Sequence, residues 1–302
     1  MKIWQHGYVL NSPWHGQDHP GVLLKIEFPG GEVGHADLHP WPELGDLTLT
    51  ELLRMLTSQR PHPRLERTLV VAAEDATARA KKASLFTGYQ MLTSHKLLPN
   101  LEKVTPAGLQ SLEQQGYTLV KVKMGRDLTL ETEQLKALLG ASGLKWRLDF
   151  NGRLSAAQFQ EWLTQVPLDL IDGIEDPVQG GQSVAASPTA LFCDRISFTH
   201  SVGDVIKPEI QSWDVNAAPG RRLWLTNNLG HPFGHAVALA YAARWQRGEA
   251  GGLQGLQDYD SAPTLTAWRE QIRYHGAVTL PPAGTGFGFD AQLARLPWKA
   301  LL

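Results

Sequence analysis

Cysteine is almost absent from this sequence, which has 302 residues and a single cysteine, Cys193. A disulfide within the chain is therefore excluded, and a reducing cytosol is the expected environment. Basic runs are also lacking and the formal net charge is −2, so the chain offers no field for nucleic acid or an anionic membrane. No stretch is apolar for long enough to span a membrane, and residues 1–7 lack the apolar core of a secretory signal. We expect a cytoplasmic protein without nucleic-acid or membrane partners; its oligomeric state is left open.

Hydrophobic residues make up 42% of the sequence, which is enough for a large core and for two domains. Residues 21–28 and 32–38 alternate with period two around a Gly-rich turn, which predicts a β-hairpin. Helices are expected to begin at Leu49-Thr50 and to run from about Arg64 to Phe86. We assign residues 1–92 to an α+β domain, to which a C-terminal tail, about 275–302, returns.

Short apolar runs separated by helical stretches occupy residues 93–274, which is typical of a β/α barrel. The interval between Asp194 and Lys207 is about half of that between the earlier strand ends, so we expect a truncated helix there. The predicted strands are residues 94–98, 118–124, 146–151, 170–175, 190–194, 204–208, 222–228 and 251–256.

Lys121 and Lys123 are two residues apart on a predicted strand and therefore point to one face. Such a pair is more often found on a solvent-facing edge. Here the residues before, between and after them, Val120, Val122 and Met124, are apolar, so the lysine face can instead be the barrel interior. Burial beside a second cation and a metal would lower the pKa of a lysine and leave a neutral amine able to accept a proton.

Three carboxylates, Asp149, Glu175 and Asp194, end successive predicted strands. Each of them alone would be interpreted as a surface or helix-capping residue. The carboxyl ends of parallel strands, however, meet at one mouth of a barrel. Hard oxygen ligands without a cysteine or histidine cluster favour Mg²⁺ over Zn²⁺. Together the three carboxylates predict a Mg²⁺ site flanked by lysines.

Other polar residues are predicted to support this site. Asn151 is expected to orient a ligand from behind, and Asp176 to hold one of the two lysines. Asn227, Asn228 and Gly230 lie where an apolar strand ends and a helix begins, so backbone amides there are candidates to bind a substrate carboxylate. A purely structural turn remains the alternative for this loop.

Five short motifs follow one another in the order of the enolase superfamily, which the sequence resembles over nearly its whole length: Lys121-Val-Lys, Asp149-Phe-Asn, Glu175-Asp-Pro, Asp194 and Lys207-Pro. The segment from Gly34 to Asp46 is similar to the capping domain of that superfamily. The resemblance implies an α/β fold with an N-terminal α+β capping domain and a modified (β/α)7β TIM-type barrel. One departure is Arg195, since relatives often have Asp-Glu where this chain has Asp194-Arg195.

Within the superfamily, the short chain and the motifs Lys121-Val-Lys-Met-Gly and Val205-Ile-Lys-Pro are most similar to dehydratases of menaquinone biosynthesis. The resemblance implies that the partner is a small-molecule carboxylate, a cyclohexadiene with a succinyl side chain, and that Lys123 removes its α proton. Mg²⁺ on the three carboxylates would stabilise the resulting enediolate, and protonated Lys123 would help hydroxide to leave as water. Lys121 would tune Lys123, and Lys207 would face the ring from the other side as a cation.

Several alternatives stay open. Lys123 and Lys207 would also suit racemisation or epimerisation of an N-acylamino acid or a dipeptide, which needs a base on each face of the α carbon. Asp258 and Asp260 resemble a motif of dipeptide epimerases, although a solvated loop is the commoner interpretation. A barrel without catalytic activity is disfavoured because buried unpaired charges would destabilise it. Residues 11–20 are a candidate lid or a solvated connection.

Overall fold

The computed structural model describes residues 1–11, 18–98, 100–180, 182–185, 187–195, 198, 200–212, 220–245, 249–250 and 265–302. The strands of these residues form a four-stranded antiparallel sheet, an eight-stranded parallel sheet and a small two-stranded sheet. In the described part of the chain, no helix is both long enough and apolar enough to cross a membrane.

The N-terminal part combines a hairpin-based sheet with two helices. Its strands β2 and β3 form the predicted antiparallel hairpin, and Gly31 turns the chain between them with a φ of 89°. Helix α2 packs closely on β3, because a Cβ at Gly34 would lie only 1.9 Å from the carbonyl oxygen of Ala72. The bounds are β1 (Lys2–Asn11), β2 (Asp18–Glu27), β3 (Val33–Leu38), α1 (Leu49–Thr57) and α2 (Pro63–Ala80).

Helix α2 is shorter than predicted. The prediction of a helix up to Phe86 is wrong, since α2 ends at Ala80 and Lys82 has a left-handed φ of 51°. The backbone N–H of Leu85 then donates to the carbonyl of Gly286, 2.9 Å away in the C-terminal tail. Phe86 is buried in the same hydrophobic cluster as Phe287 of this tail, and Leu85 packs against that cluster. Their apolar side chains therefore resemble the continuation of a helix when only the sequence is considered.

The barrel part contains eight parallel strands that lie side by side in chain order. Helices α3, α4 and α5 connect the first four strands. Helix α6 is buried along most of its length in the same hydrophobic cluster as β3, and thus lies between the barrel and the N-terminal sheet. The bounds are β4 (Lys96–Leu98), α3 (Pro106–Gln114), β5 (Leu119–Lys123), α4 (Leu128–Leu138), β6 (Lys145–Asp149), α5 (Ala156–Leu163), β7 (Ile171–Glu175), β8 (Leu191–Cys193), β9 (Gly203–Ile206), β10 (Arg222–Leu225), α6 (Pro232–Trp245) and β11 (Glu249–Ala250).

The truncated helix expected between Asp194 and Lys207 is not seen among the residues described there. The backbone N–H groups of Asp194 and Arg195 instead donate to the two carboxylate oxygens of Asp176, at 3.0 and 3.1 Å. These bonds turn the chain at the end of β8 without a helix. The strand predicted at residues 251–256 lies outside the described residues, and β11 ends at Ala250.

The C-terminal tail adds a strand to the N-terminal sheet. Its last strand, β14, pairs antiparallel with β1, so the sheet order is β14-β1-β2-β3. The backbone N–H of Leu301 donates to the carbonyl of Ile3 over 2.8 Å and extends this pairing. The remaining elements are α7 (Thr266–Arg269), β12 (Arg273–His275), β13 (Val278–Leu280), α8 (Asp290–Arg295) and β14 (Lys299–Ala300).

Candidate active site

The lysine pair faces the inside of the curled parallel sheet. Strand β5 lies between β4 and β6, so it is not an edge strand. Val120 and Val122 are fully buried in the core that the outer helices share. Lys121 and Lys123 point the opposite way and line one cavity. The sequence left open whether the two lysines lie on a solvent-facing edge or in the barrel interior, and in the structure they face the interior.

The Lys121 ammonium lies between two of the predicted metal ligands. Its Nζ is 3.0 Å from Oδ2 of Asp149 and 2.6 Å from Oε2 of Glu175. Burial alone would lower the pKa of Lys121, but these two carboxylates outweigh it and raise the pKa above its ordinary value. Lys121 is therefore held as a permanent cation.

Lys123 has the opposite electrostatic character. Burial lowers the pKa of its ammonium; Asp149 opposes this shift, and the neighbouring Lys121 cation adds to it. Lys207 approaches the cavity from β9 and forms an ion pair with Asp194. The pKa of Lys123 is thus shifted in the opposite direction from that of Lys121, toward a larger neutral fraction.

The two predicted supporting residues act through the backbone. Asp176 does not bind a lysine among the described residues, contrary to the expectation, because its carboxylate accepts the N–H groups of Asp194 and Arg195. The backbone N–H of Asn151, rather than its side chain, donates to Oδ1 of Asp149 over 3.1 Å. Both Asn151 and Asp176 have a left-handed φ, of 48° and 41°, which makes these contacts with the strand ends possible.

The donor chemistry of the three carboxylates fits Mg²⁺. Asp149, Glu175 and Asp194 all line the same cavity and offer hard oxygen ligands. Burial, and then the charge of Asp149, raise the pKa of Glu175 to about 8, whereas the charge of Lys121 opposes this shift. In the described part of the chain no three such side chains converge closely enough to hold an ion. Lys121 bridges Asp149 and Glu175, and Lys207 forms an ion pair with Asp194.

Beneath the lysines, aromatic and cationic side chains fill the barrel. Phe192 and Trp224 stack with ring centroids 3.6 Å apart, and the guanidinium of Arg147 lies 4.3 Å from the Trp224 ring. Nε of Arg147 donates to Asp172 over 2.8 Å. Gly173 makes room for the stack, since a Cβ there would lie 2.7 Å from Phe192 and 2.8 Å from Trp224. We call these residues, Arg147, Asp172, Phe192 and Trp224, the barrel floor.

The N-terminal part closes the mouth of the cavity. Trp41 and Leu44 line it together with the barrel residues. Nε1 of Trp41 donates to the carbonyl of Asn228 over 2.7 Å, and Nδ2 of Asn228 donates to the carbonyl of His39 over 2.9 Å. Arg195 donates to the carbonyl of Leu44 over 3.0 Å. Side chains from the end of β10 and from the end of β8 therefore hold this capping segment in place.

A buried polar junction lies beside the capping segment. The hydroxyl of Tyr8 donates to Oδ1 of Asp37 over 2.5 Å, and the backbone N–H of His231 donates to Oδ2 over 3.0 Å. Burial raises the pKa of Asp37 to about 7 despite these bonds. Gly230 belongs to this junction: it does not line the cavity, and a Cβ there would lie 2.7 Å from Asp37. Of the three predicted substrate-binding residues, Asn227 and Asn228 line the cavity.

Sequence reasoning missed several residues that shape the cavity. Arg147 lies two residues before Asp149, so strand alternation places it on the inward face and could have identified it. His95, Trp41 and Leu44 carried no such signal, because a lone histidine or a loop residue follows no period. Asp258, Asp260 and most of the candidate lid, residues 12–17, lie outside the described residues.

Solved structures share this architecture. A muconate lactonizing enzyme from Mucobacterium smegmatis aligns with a TM-score of 0.74 and 18% identity, over 98% of this chain and 99% of the other. A member of the enolase superfamily from Roseovarius nubinhibens, complexed with magnesium, aligns with a TM-score of 0.70 and 17% identity, over 100% and 98% of the two chains. The capping domain and TIM-type barrel are thus the fold of the enolase superfamily, and the predicted fold class is confirmed.

Sequence comparison identifies one family within the enolase superfamily. The family described as "O-succinylbenzoate synthase, N-terminal domain" matches residues 5–78. An o-succinylbenzoate synthase from Bdellovibrio bacteriovorus is 34% identical over 318 aligned residues, which cover 97% of this chain and 94% of the relative. The chain belongs to the o-succinylbenzoate synthase family, a family of hydro-lyases.

Proposed function

We propose that this enzyme dehydrates 2-succinyl-6-hydroxy-2,4-cyclohexadiene-1-carboxylate to o-succinylbenzoate in menaquinone biosynthesis, and that it needs Mg²⁺. The observation that carries the proposal is the composition of one cavity. Lys121 and Lys123 line it together with Lys207 and with the carboxylates of three neighbouring strands. Membership of the o-succinylbenzoate synthase family supports this choice of substrate.

Lys123 is the proposed base. Its lowered pKa gives its Nζ a larger neutral fraction near neutral pH than an ordinary lysine has. The neutral amine takes the proton from the carbon that bears the ring carboxylate. The electron pair of that C–H bond enters the ring, the C–O bond to the hydroxyl group breaks, and the same Lys123 ammonium protonates the departing oxygen. One water leaves and an aromatic ring forms, with both transfers on one face.

The other two lysines are proposed to act as cations. Lys121 is held by Asp149 and Glu175, and its charge lowers the pKa of Lys123. Lys207 directly follows β9, whereas Lys123 ends β5, and both line the cavity. Lys207 therefore faces a bound ring from another side, where its charge favours the anionic form of the substrate.

Asp149, Glu175 and Asp194 are the residues proposed to hold Mg²⁺. When bound, the ion would supply positive charge beside the carboxylate that gains electron density as the proton leaves. Asp176 would support the site by fixing the backbone of Asp194. Asn151 would do so through its N–H to Asp149.

The test is the loss of absorbance of the cyclohexadiene substrate, measured for the wild-type enzyme and for Lys123→Ala, with Mg²⁺ and with EDTA. We expect turnover by the wild type that EDTA abolishes and Mg²⁺ restores. In Lys123→Ala we expect a decrease of about 10²–10⁴-fold or more, the usual contribution of a general base. Lys145→Ala, an exposed lysine at the other end of β6 from Asp149, is the matched control and should retain full activity. A folded wild type that binds Mg²⁺ and leaves the substrate unchanged would refute the proposal.

A second candidate is epimerisation of a dipeptide or N-acylamino acid, favoured by the presence of two lysines, Lys123 and Lys207, in one cavity. Two-base exchange would transfer deuterium from D₂O to the α carbon of both enantiomers, which ¹H NMR detects. Exchange of an N-succinylamino acid without dehydration of the cyclohexadiene would favour this candidate.

A further inference from the structure

His95 is a buried histidine that the proposed reaction does not use. It immediately precedes β4, is only 4% exposed and lines the cavity. Its Nδ1 lies 3.4 Å from Nη1 of Arg147. A guanidinium has only donors, so Nδ1 must be the acceptor in this contact. The ring proton of a neutral His95 is therefore on Nε2.

The surroundings of His95 keep it neutral and fix this tautomer. Burial lowers the pKa of His95 well below its ordinary value, and the cations Arg147 and Lys121 lower it further. Arg147 cannot turn away, because its Nε donates to Asp172 over 2.8 Å and its guanidinium lies against the ring of Trp224. Asp172 also accepts from Arg222 over 3.1 Å. The barrel floor thus fixes which nitrogen of His95 carries hydrogen.

Nε2 of His95 is then a donor left for a ligand. Among the described residues, no hydrogen-bond partner is found for Nε2. The protein does not enclose this atom completely, so a ligand can reach it. A donor at the wall of a cavity, near two cations, suits an oxygen acceptor that is anionic or strongly polar.

The strand order indicates which part of the substrate reaches His95. The predicted Mg²⁺ ligands end β6, β7 and β8, so the reacting carboxylate belongs on that side of the cavity. His95 precedes β4. This strand is separated from β6 by β5. Residues 226–228, which follow β10, also line the cavity away from these ligands. The wall that β4 and β10 provide is left for the part of the substrate remote from the ring carboxylate.

We propose that Nε2–H of His95 donates a hydrogen bond to a carbonyl or carboxylate oxygen of the succinyl side chain, and that Arg147 is a positioning residue that sets the tautomer of His95. This inference rests on the proposed function. It makes His95 a residue that selects substrates by their side chain, separate from the lysines that transfer protons.

The test compares two competitive inhibitors that share a ring carboxylate, o-succinylbenzoate and benzoate, in wild type, His95→Leu and His95→Gln. His95→Leu should raise KM for the cyclohexadiene and the inhibition constant of o-succinylbenzoate about 10-fold or more, as for a lost hydrogen bond to a charged group. The inhibition constant of benzoate and kcat should change by less than about threefold, well under a tenfold effect. His95→Gln keeps an N–H donor and should recover most of the loss.

The outcomes separate this inference from the proposed function. If the wild type dehydrates the cyclohexadiene while His95→Leu leaves KM unchanged, or weakens both inhibitors equally, the inference is wrong and the function stands. If the wild type does not turn over this substrate, both are wrong. ¹⁵N NMR of the wild-type imidazole provides a readout that needs no variant: a proton on Nε2 is expected, and a proton on Nδ1 would overturn the inference.

Discussion

The pKa of the buried carboxyl group of Glu209 can be tested through its effect on the stability of the protein. Glu209 lies in the turn after β9 and is 5% exposed. Its Oε1 accepts the backbone N–H of Asn228, whereas Oε2 has no partner among the described residues. Burial raises the pKa of Glu209 from 4.5 to about 7, although the N–H of Asn228 and the charge of Lys207 oppose the shift.

The raised pKa of Glu209 makes the free energy of unfolding depend on pH. Below pH 4.5 the carboxyl group is protonated in the folded and unfolded states, so it does not affect stability. Between 4.5 and about 7 only the unfolded state loses the proton, and stability falls as the pH rises. Above that range the full cost is present, about 3 kcal/mol at 1.36 kcal/mol per unit.

Glu209→Gln removes the titration while it keeps an acceptor for Asn228. The new amide leaves an unpaired donor, which costs about 1–3 kcal/mol at every pH. The free energy of unfolding of the variant minus that of the wild type should therefore rise by about 3 kcal/mol from pH 4.5 to pH 8.5. The variant should be the less stable protein at the lower pH and equal or more stable at the higher one.

The assay is urea unfolding followed by circular dichroism at several pH values. Asp37 and other titrating groups affect both proteins, and the subtraction removes most of their contribution. Glu102→Gln, which makes the same substitution at an exposed turn, is the matched control. A constant difference for Glu209→Gln would refute the reasoning, because it would mean that Glu209 titrates alike in both states.

Two further predictions concern the barrel floor and the metal site. Gly173→Ala should lower the free energy of unfolding by about 1–3 kcal/mol, since its methyl group would overlap Phe192 and Trp224; calorimetry measures this, and an unchanged melting temperature would contradict it. Asp176→Asn should weaken Mg²⁺ binding about 10–100-fold. It replaces one of the two carboxylate oxygens that accept the backbone N–H groups of Asp194 and Arg195 by an amide NH₂ group that cannot accept. Isothermal titration with Mg²⁺ tests this, with Asp169→Asn, on the connection before β7, as a control; equal affinities for wild type and Asp176→Asn would contradict it.

The parts of the fold that depend on local patterns were predictable from the sequence. The strands around Lys121, Asp149 and Glu175 lie within a few residues of their predicted bounds, because alternation and apolar runs are properties of the strand itself. The residues that end these strands line one cavity because the carboxyl ends of neighbouring parallel strands meet at one mouth. Their catalytic and metal-binding roles stay predictions.

What sequence reasoning missed depends on contacts between distant segments. The end of α2 depends on Leu85 meeting Gly286, and the surroundings of Gly230 are set by Asp37 of another domain. Asp176 accepts backbone N–H groups at the end of the neighbouring strand, β8, which charge alone does not reveal. A pattern within a few residues cannot encode such partners.

The barrel floor also has a consequence for traffic through the enzyme. Phe192, Trp224 and Arg147 fill the barrel beneath the lysines, so a molecule in the cavity cannot leave in that direction. Among the described residues, Trp41 and Leu44 border the opposite side of this cavity, so a molecule that enters or leaves there passes the capping segment. Because Trp41 donates to the carbonyl of Asn228, a movement of this bonded segment would affect entry and exit alike.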